Sequence, residues 1–272
     1  MNDLNRETAG VIADIDATAQ RMADAARQAI LPYFRVMNLH QDNKLEHGYD
    51  PVTQADRAAE QAMRDILAAE RSADAILGEE FGTKSGTSGL TWVLDPIDGT
   101  RGFVSGTPTW GVLIAVSDRQ GPFYGLIDQP YITERFIGAA GRAAMTSAAG
   151  THPINTRSTP ALSEAVIFTT FPEVGTPQEG AAFRAVAQQC KLTRYGMDCY
   201  AYALLAAGQI DLVVEAGLQA YDIQAPIALV QAAGGIVTDW DGGPAHEGGR
   251  ALAAANVDIH AQALDLLRGT PK

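Results

Sequence analysis

The sequence predicts an α/β protein, in which helices and antiparallel strands of an N-terminal half precede alternating strands and helices of a C-terminal half. In the first half, apolar residues recur at helical spacing, and a series of short strand-like runs follows. In the second half, strand-like and helix-like segments alternate, which is typical of α/β folds. The chain has 272 residues, of which 46% are hydrophobic, so it can bury the core of one large domain or two subdomains.

Two amphipathic helices are predicted near the start of the chain. The first covers about residues 8–36, where six apolar side chains share one face: Val11, Ile15, Met22, Ala26, Ile30 and Phe34. Pro32 is expected to end or bend this helix, because proline lacks a backbone donor. The second helix is predicted to run to about Arg71, and Thr53 followed by Asp56 is typical of an N-cap pair at its start.

Short strands are predicted for the remainder of the first half. They cover residues 75–78, 92–95, 110–116, 122–127, 134–138 and 143–145. The short polar segment 117–121 contains a glycine and predicts a hairpin between the two strands that flank it. The first half is therefore expected to contain a largely antiparallel sheet.

The second half is predicted to alternate between strands and helices. Strands are predicted at 165–170, 192–195, 210–214, 236–239 and 251–254, and helices at 179–190, 198–207, 222–233 and 258–268. Around residues 148–160 the composition shifts to Gly, Thr, Pro and Ser. We therefore expect a subdomain boundary there, with an N-terminal α+β subdomain over 1–148 and a C-terminal α/β subdomain over 149–272.

The stretch from Trp92 to Thr100 carries the most distinctive chemistry. Its apolar run ends at Asp95, Asp98 follows three residues later, and Gly99 gives the backbone freedom to turn sharply. Two carboxylates at this spacing can reach one point, and Mg²⁺ takes oxygen ligands at about 2.0–2.1 Å. The alternative is a simple turn, because Asp, Pro and Gly are common turn residues.

Further carboxylates lie at the ends of other predicted elements. Glu79 follows the strand that precedes the one ending at Asp95, so two neighbouring strands would present carboxylates at one edge of a sheet. Asp222 stands at the start of a helix, where a plain N-cap is the alternative role. Asp50 precedes the second helix without an obvious capping task, and Glu215 ends a strand.

Composition narrows the class of partner. The net charge is −12 and the pI is about 4.8, so nucleic acid is a disfavoured partner, because phosphate backbones attract clustered Lys and Arg. The first seven residues lack the pattern of a signal peptide, and no run approaches about 18 apolar residues, so no membrane association is expected. Cys190 and Cys199 lack zinc-site spacing and are expected to be reduced thiols of a cytoplasmic protein.

Four separated stretches of the chain have one common explanation. They are Asp50-Pro51-Val52-Thr53-Gln54-Ala55-Asp56, Gly78-Glu79-Glu80, Asp95-Pro96-Ile97-Asp98-Gly99-Thr100, and Tyr221-Asp222 with Ala233-Gly234-Gly235 downstream. In this order they resemble the inositol monophosphatase family of Mg²⁺-dependent phosphatases, and the resemblance spans about residues 44–242. It implies an α/β/α/β/α sandwich, hydrolysis of a small phosphate monoester and a homodimer.

The resemblance also implies a set of ligands for two or three Mg²⁺ ions. Glu79, Asp95 and the backbone carbonyl of Ile97 would bind one ion. Asp95, Asp98 and Asp222 would bind a second, and a third, weaker ion would depend on Glu79 and water. Two metal ions about 3.5–4 Å apart can stabilise both the attacking and the leaving oxygen of an in-line displacement.

The same resemblance implies how the substrate phosphate and the attacking water are held. Thr100, linked to Asp50, would orient and deprotonate the water. Gly99 and Thr100 would hold the phosphate through backbone N–H groups at a helix start.

Within the family, the closer resemblance is to the histidinol-phosphate phosphatase branch. The matching segments are Pro51 to Arg57, Gly78 to Gly82, Asp95 to Arg101, and Gly196-Met197-Asp198-Cys199-Tyr200. Asp198 replaces a small apolar residue of inositol-type members, and we expect it to recognise, with Glu215, the cationic end of histidinol phosphate. The alternative role of Asp198 is helix capping. Two departures are Gly102, where many members have Asn, and the usual upstream Lys, for which Lys44 is the nearest candidate.

Two other functions stay open on the sequence alone. The same machinery could act on inositol monophosphate or a nucleotide-derived 3′-phosphate, because the predicted metal ligands contact only phosphate. A non-catalytic scaffold or binding protein of this fold is the other alternative. The intact set of predicted ligands, together with Thr100 and Asp50, argues against it.

Overall fold

The computed structural model describes residues 9–37, 41–43 and 51–269. Within these ranges the α-helices are α1 (Ala9–Ile30), α2 (Gln54–Glu70), α3 (Thr100–Ser105), α4 (Pro177–Ala187), α5 (Cys199–Ala206), α6 (Ala220–Ala232) and α7 (Val257–Gly269). The strands are β1 (Gln41–Asn43), β2 (Pro51–Thr53), β3 (Ala75–Gly78), β4 (Gly82–Lys84), β5 (Thr91–Asp98), β6 (Gly111–Asp118), β7 (Gly121–Gln129), β8 (Glu134–Ala139), β9 (Arg142–Ser147), β10 (Gly150–Pro153), β11 (Val166–Thr169), β12 (Leu192–Tyr195), β13 (Leu212–Leu218), β14 (Ile236–Thr238) and β15 (Gly249–Ala254). None of the described helices combines the length and the apolar character that a membrane span requires.

The larger sheet has eight strands in the order β10-β9-β8-β7-β6-β5-β3-β4. All neighbours are antiparallel except β3 and β5, which run parallel. The expectation of a largely antiparallel sheet in the first half is therefore confirmed. The last strand of this sheet, Gly150–Pro153, begins just after residue 148, where the sequence predicts the end of the first subdomain. The subdomain boundary itself stays a prediction.

The second sheet has five strands in the order β12-β11-β13-β15-β14. Strand β11 pairs in parallel with β12 and β13, whereas β15 is antiparallel to both of its neighbours. The predicted alternation of strands and helices is confirmed, with shifts of a few residues at the element ends.

Helices and sheets stack in five layers. Helices α1 and α2 cover one face of the eight-stranded sheet, and α5 and α6 lie between its other face and the five-stranded sheet. Helices α4 and α7 cover the outer face of the five-stranded sheet. Strand β5 contacts a helical layer on each face of the sheet, because side chains alternate along a strand. Trp92 and Leu94 point to one layer, and Val93 points to the other. The α/β/α/β/α sandwich is confirmed.

Local signals fix the ends of the first two helices. Helix α1 ends at Ile30 and continues as a single 3-10 turn over Leu31–Tyr33, as Pro32 predicts. At the start of α2 the backbone N–H of Thr53 donates to Asp56 Oδ2 at 2.8 Å, and Ala55 N donates to Thr53 Oγ1 at 3.0 Å. This capping box confirms the predicted N-cap pair.

Strand β5 differs from the prediction, which ended it at Asp95. The strand passes through Pro96 and continues to Asp98, with a register shift against β6 between Asp95 and Asp98. Proline cannot donate to the ladder, and the strand accommodates it as an irregularity instead of stopping. The strand therefore carries both aspartates of the central stretch.

We predict that Gly78→Ala lowers the free energy of unfolding by about 1–3 kcal/mol, as overpacking of a dense core does. A methyl group at residue 78 would overlap Oε1 of Glu60, a buried side chain. Urea unfolding should show a lower midpoint at an unchanged slope. Gly10→Ala is the matched control, because a methyl group there meets no heavy atom within 4 Å. Equal midpoints for Gly78→Ala and the unmodified protein would contradict this account.

Candidate active site

The parallel pair of strands β3 and β5 brings Glu79 and Asp95 together. Gly78 lies opposite Leu94, so the residues that follow them emerge side by side at the same edge of the sheet. The backbone N–H of Glu79 donates to Leu94 O at 3.2 Å and extends the pairing by one step. The charge of Glu79 adds to burial in raising the pKa of Asp95, so the two carboxyl groups lie near each other. The expected meeting of two carboxylates at one sheet edge is thus confirmed.

A buried carboxylate on α2 fixes the turn that follows Glu79. Glu60 accepts hydrogen bonds from the backbone N–H of Glu80 at 2.7 Å and of Phe81 at 3.2 Å. The guanidinium of Arg64 also donates to Glu60, with Nε at 2.7 Å from Oε1. The backbone around Glu79 is therefore anchored by the neighbouring helix.

Asp95 lies at the centre of the acidic group and is only 2% exposed. Its Oδ1 accepts a hydrogen bond from the backbone N–H of Ile97 at 3.1 Å, which turns the side chain back over its own strand. Burial raises the pKa of Asp95 well above its usual range, and the charges of Glu79, Asp98 and Asp222 raise it further.

Asp98 lies on the same strand as Asp95, whereas Asp222 belongs to α6. Oδ2 of Asp98 accepts the backbone N–H of Cys199 at 2.6 Å, at the first residue of α5. Burial, followed by the charges of Asp198 and Asp222, raises the pKa of Asp98 well above its usual range. Each of these carboxylates is thus placed where its negative charge is repelled by others.

Asp222 combines the capping role with a place in the acidic group. It is the third residue of α6, and its Oδ2 accepts the backbone N–H of Gln219 at 2.7 Å. The N-cap of α6 is Gln219, so Asp222 is not the N-cap itself but contributes to capping as the third residue of a capping box. This contribution does not exclude the other role, because a carboxylate has two oxygens.

One oxygen from each of Asp95, Asp98 and Asp222 lies within 4.8 Å of the other two. The donor set consists of hard oxygens, which suit Mg²⁺, and a divalent cation would neutralise carboxylates that otherwise repel one another. The residues present therefore fit the predicted metal ion. Asp95, Asp98 and Asp222 would hold it, with Glu79 beside Asp95 and the Ile97 carbonyl close in sequence; these roles stay predictions.

The turn after Asp98 places the predicted phosphate-binding residues. Gly99 adopts a left-handed conformation, with φ of 84°, and precedes the first residue of α3. The hydroxyl of Thr100 donates to the carbonyl of Ile97 at 3.0 Å, so the predicted catalytic hydroxyl and the predicted carbonyl ligand are in contact. Asp50, the predicted partner of Thr100, and Lys44 lie outside the described residues.

Asp198 faces the phosphate-binding turn and makes no side-chain hydrogen bond to cap α5. A Cβ atom at Gly99 would lie 2.8 Å from Cγ of Asp198, and one at Gly102 would lie 3.6 Å from its Oδ2. Burial raises the pKa of Asp198 to about 6, while the nearby Arg101 opposes this shift. Asp198 therefore occupies the N-cap position of α5 without capping the helix through its side chain, and its carboxyl group lies against Gly99.

Glu215 is buried, and other groups of the protein already donate hydrogen bonds to its carboxylate. It accepts hydrogen bonds from the Thr169 hydroxyl at 3.1 Å, and from the backbone N–H and hydroxyl of Thr170 at 2.7 and 2.9 Å. Burial raises the pKa of Glu215 to about 7, although the hydrogen bonds from Thr170 and Thr169 favour its charged form. Glu215 fixes the end of β11 beside Asp198, and its predicted contact with substrate stays a prediction.

Sequence reasoning missed two features beside the predicted site. The Arg101 guanidinium lies 4.8 Å from the centroid of the Phe171 ring, which is 42% exposed. The position of Arg101 directly after Thr100 could have signalled its involvement, whereas nothing in the sequence singles out Phe171. The other feature is Cys199, whose backbone contacts Asp98 and whose sequence signal is only its nearness to Asp198.

The layered fold and the clustered carboxylates are those of a metal-dependent phosphatase of phosphate monoesters. The sequence model of the inositol monophosphatase family matches residues 12–270, and the chain belongs to that family. Its members are metal-dependent enzymes, typically using Mg²⁺, that act on small phosphate monoesters.

Three similar proteins illustrate the range within the family. The chloroplastic bifunctional phosphatase IMPL2 of Arabidopsis thaliana is 40% identical over 92% of this chain and 74% of its own length. A histidinol-phosphatase of Mycobacterium tuberculosis is 33% identical over 92% of this chain and 96% of its own. The solved structure of an inositol monophosphatase from Zymomonas mobilis, 39% identical, superimposes with a TM-score of 0.84 over 96% of this chain and 99% of its own.

We predict that Asp95→Asn lowers the rate of phosphate release more than tenfold, a barrier increase above about 1.4 kcal/mol. The buried carboxylate would lose its charge at the point where the other carboxylates converge. Initial rates with a small phosphate monoester and saturating Mg²⁺ measure the effect. Asp14→Asn, on the exposed face of α1, is the matched control and should keep the full rate. An Asp95→Asn protein with more than a tenth of the normal rate would exclude the assigned role.

Proposed function

We propose that the protein hydrolyses L-histidinol phosphate to L-histidinol and phosphate with the help of Mg²⁺. The observation that carries this proposal is the position of Asp198. Its carboxyl group lies against Gly99, the predicted phosphate-binding residue, and does not cap its helix. An acidic group beside the phosphate site suits a substrate whose other end is cationic.

The chain supplies an arrangement suited to phosphate-ester hydrolysis. Such a reaction needs an in-line water, a stabilised leaving oxygen and neutralised phosphate oxygens. Mg²⁺, when bound, supplies positive charge at the phosphate and lowers the pKa of its water. Asp95, Asp98 and Asp222 would hold the ion, and Gly99 and Thr100 would orient the phosphate.

Asp198 provides a physical basis for substrate choice. Histidinol phosphate carries an ammonium group and an imidazole ring, whereas inositol phosphate carries only hydroxyl groups beyond its phosphate. A hydrogen bond from an ammonium group to a carboxylate joins two charged groups, so it is stronger than a hydrogen bond from a hydroxyl group to the same carboxylate. Glu215, close enough for the charge of Asp198 to raise its pKa, adds negative potential on the same side.

The second candidate function is hydrolysis of inositol monophosphate by the same machinery. It is favoured by the similarity to the Zymomonas mobilis inositol monophosphatase. The predicted metal ligands do not distinguish the two substrates, because they would contact only phosphate. Two further proposals are a cytoplasmic location, which rests on the cysteines and the N-terminal sequence, and a homodimer, which rests on the family resemblance.

A parallel substrate assay tests the proposal. Phosphate release is measured from L-histidinol phosphate, inositol 1-phosphate and a nucleoside 3′-phosphate, each with Mg²⁺ and with EDTA. We expect Mg²⁺-dependent hydrolysis with the highest kcat/KM for histidinol phosphate, and no activity in EDTA. Preference for inositol 1-phosphate, or similar weak activity on all three, would contradict the assigned substrate. No phosphate release from any of them would favour a non-catalytic protein.

We predict that Asp198→Asn raises KM for histidinol phosphate about tenfold and leaves KM for inositol 1-phosphate nearly unchanged. A hydrogen bond to a charged group contributes about 1.5–3 kcal/mol, and about 1.4 kcal/mol corresponds to a tenfold change in affinity. Steady-state kinetics with both substrates measure the difference. Asp258→Asn, an exposed aspartate in the first turn of α7, is the control and should change neither constant. Equal effects of Asp198→Asn on the two substrates would refute the role of Asp198.

A further inference from the structure

Cys199 contacts Asp98 and has no role in the function proposed above. Its backbone N–H donates to Asp98 Oδ2 at 2.6 Å, and its thiol lies beside the Asp98 carboxylate. The residue is only 2% exposed, so solvent does not compete for these contacts. The first residue of α5 therefore places its backbone N–H and its thiol against one predicted metal ligand.

A second buried side chain orients the thiol. Gln129, at the end of β7, is fully buried, and its Nε2 donates to Sγ of Cys199 at 3.5 Å. A thiol is a weak acceptor and a weak donor, so occupation of its lone pair by Gln129 leaves the S–H free to point at Asp98. Gln129 of β7 thus contacts Cys199 of α5, which in turn contacts Asp98.

The sheet leaves room for these contacts at one glycine. Gly111 on β6 lies opposite Asp98 in the strand register. A Cβ atom at Gly111 would lie 2.6 Å from Nε2 of Gln129 and 2.8 Å from Sγ of Cys199. Any larger residue at position 111 would push the side chains of Gln129 and Cys199 apart. The contact between β7 and α5 therefore requires a glycine on β6.

We propose that Cys199, oriented by Gln129, is a positioning residue that presents Asp98 to Mg²⁺. The inference rests on the proposed function, because it takes Asp98 as a metal ligand. Groups that hydrogen-bond a ligating side chain fix its orientation, and their loss typically weakens metal binding about 10–100-fold. The reaction itself does not involve the thiol.

The competing explanation is that Cys199 only fills space in the core, as a buried cysteine often does. The two explanations predict opposite orders for two substitutions. If Cys199 only packs, alanine should be tolerated better than serine, because a buried hydroxyl costs more than a methyl group. If Cys199 positions Asp98, serine should be better, because its hydroxyl can still donate.

The test is calorimetric titration of the metal-free full chain with Mn²⁺, used as a stand-in for Mg²⁺. We expect Cys199→Ala to weaken Mn²⁺ binding about tenfold or more, and Cys199→Ser to retain most of the affinity. The Mg²⁺ concentration for half-maximal phosphate release should rise in parallel, with an unchanged KM for substrate at saturating Mg²⁺. Cys190→Ala, the other free cysteine of the chain, is the control and should bind as the unmodified protein does.

Several results would overturn the inference. They are normal Mn²⁺ affinity in Cys199→Ala, or affinity in Cys199→Ser no better than in Cys199→Ala. If Cys199→Ala does not fold, Gln129→Met takes its place, since it keeps the approximate shape and removes the donor to Sγ. Normal affinity in that variant would also overturn the inference. If the unmodified protein binds no Mn²⁺, the proposed metal site fails as well, so the two failures are distinguishable.

Discussion

The structure depends on holding several carboxylates close together against their mutual repulsion. Two unit charges about 4 Å apart repel by about 4 kcal/mol at an effective dielectric constant of 20. A domain is stable by only about 5–15 kcal/mol in total, so such repulsion is a large local cost. Burial is the main reason that the pKa values of Asp95 and Asp98 are raised, and this repulsion raises them further. A divalent cation at Asp95, Asp98 and Asp222 would remove it.

Backbone N–H groups donate to three of these carboxylates. Asp95 accepts the N–H of Ile97, and two more aspartates each accept an N–H beside a helix start. For Asp98 this donor belongs to the first residue of α5, and for Asp222 it belongs to the residue that precedes α6. Helix N-termini favour negative charge. Each of these three carboxylates is thereby oriented by a backbone N–H group.

The middle layer of the sandwich gives this arrangement its precision. Helices α5 and α6 are covered by sheets on both sides, which explains why they are apolar around most of their circumference. Their N-termini reach the edge where β3 and β5 end, so packing of the core also positions the acidic group. Asp198 and Cys199 stand at the same helix start. The proposed substrate recognition and the proposed metal positioning therefore share one rigid element.

Local periodicity and motif spacing in the sequence determined the capping box at Thr53 and Asp56 and the candidate carboxylates, whereas the layers were implied by the family resemblance that these motifs carry. The sequence did not determine that β5 continues through Pro96, since this depends on pairing with β6 resuming at Asp98 after a register shift. It also could not show that Glu215 is occupied by Thr169 and Thr170, or that Gln129 and Cys199 meet behind Asp98. Those contacts join residues far apart in the chain. Only the stacking of the sheets and helices brings them together.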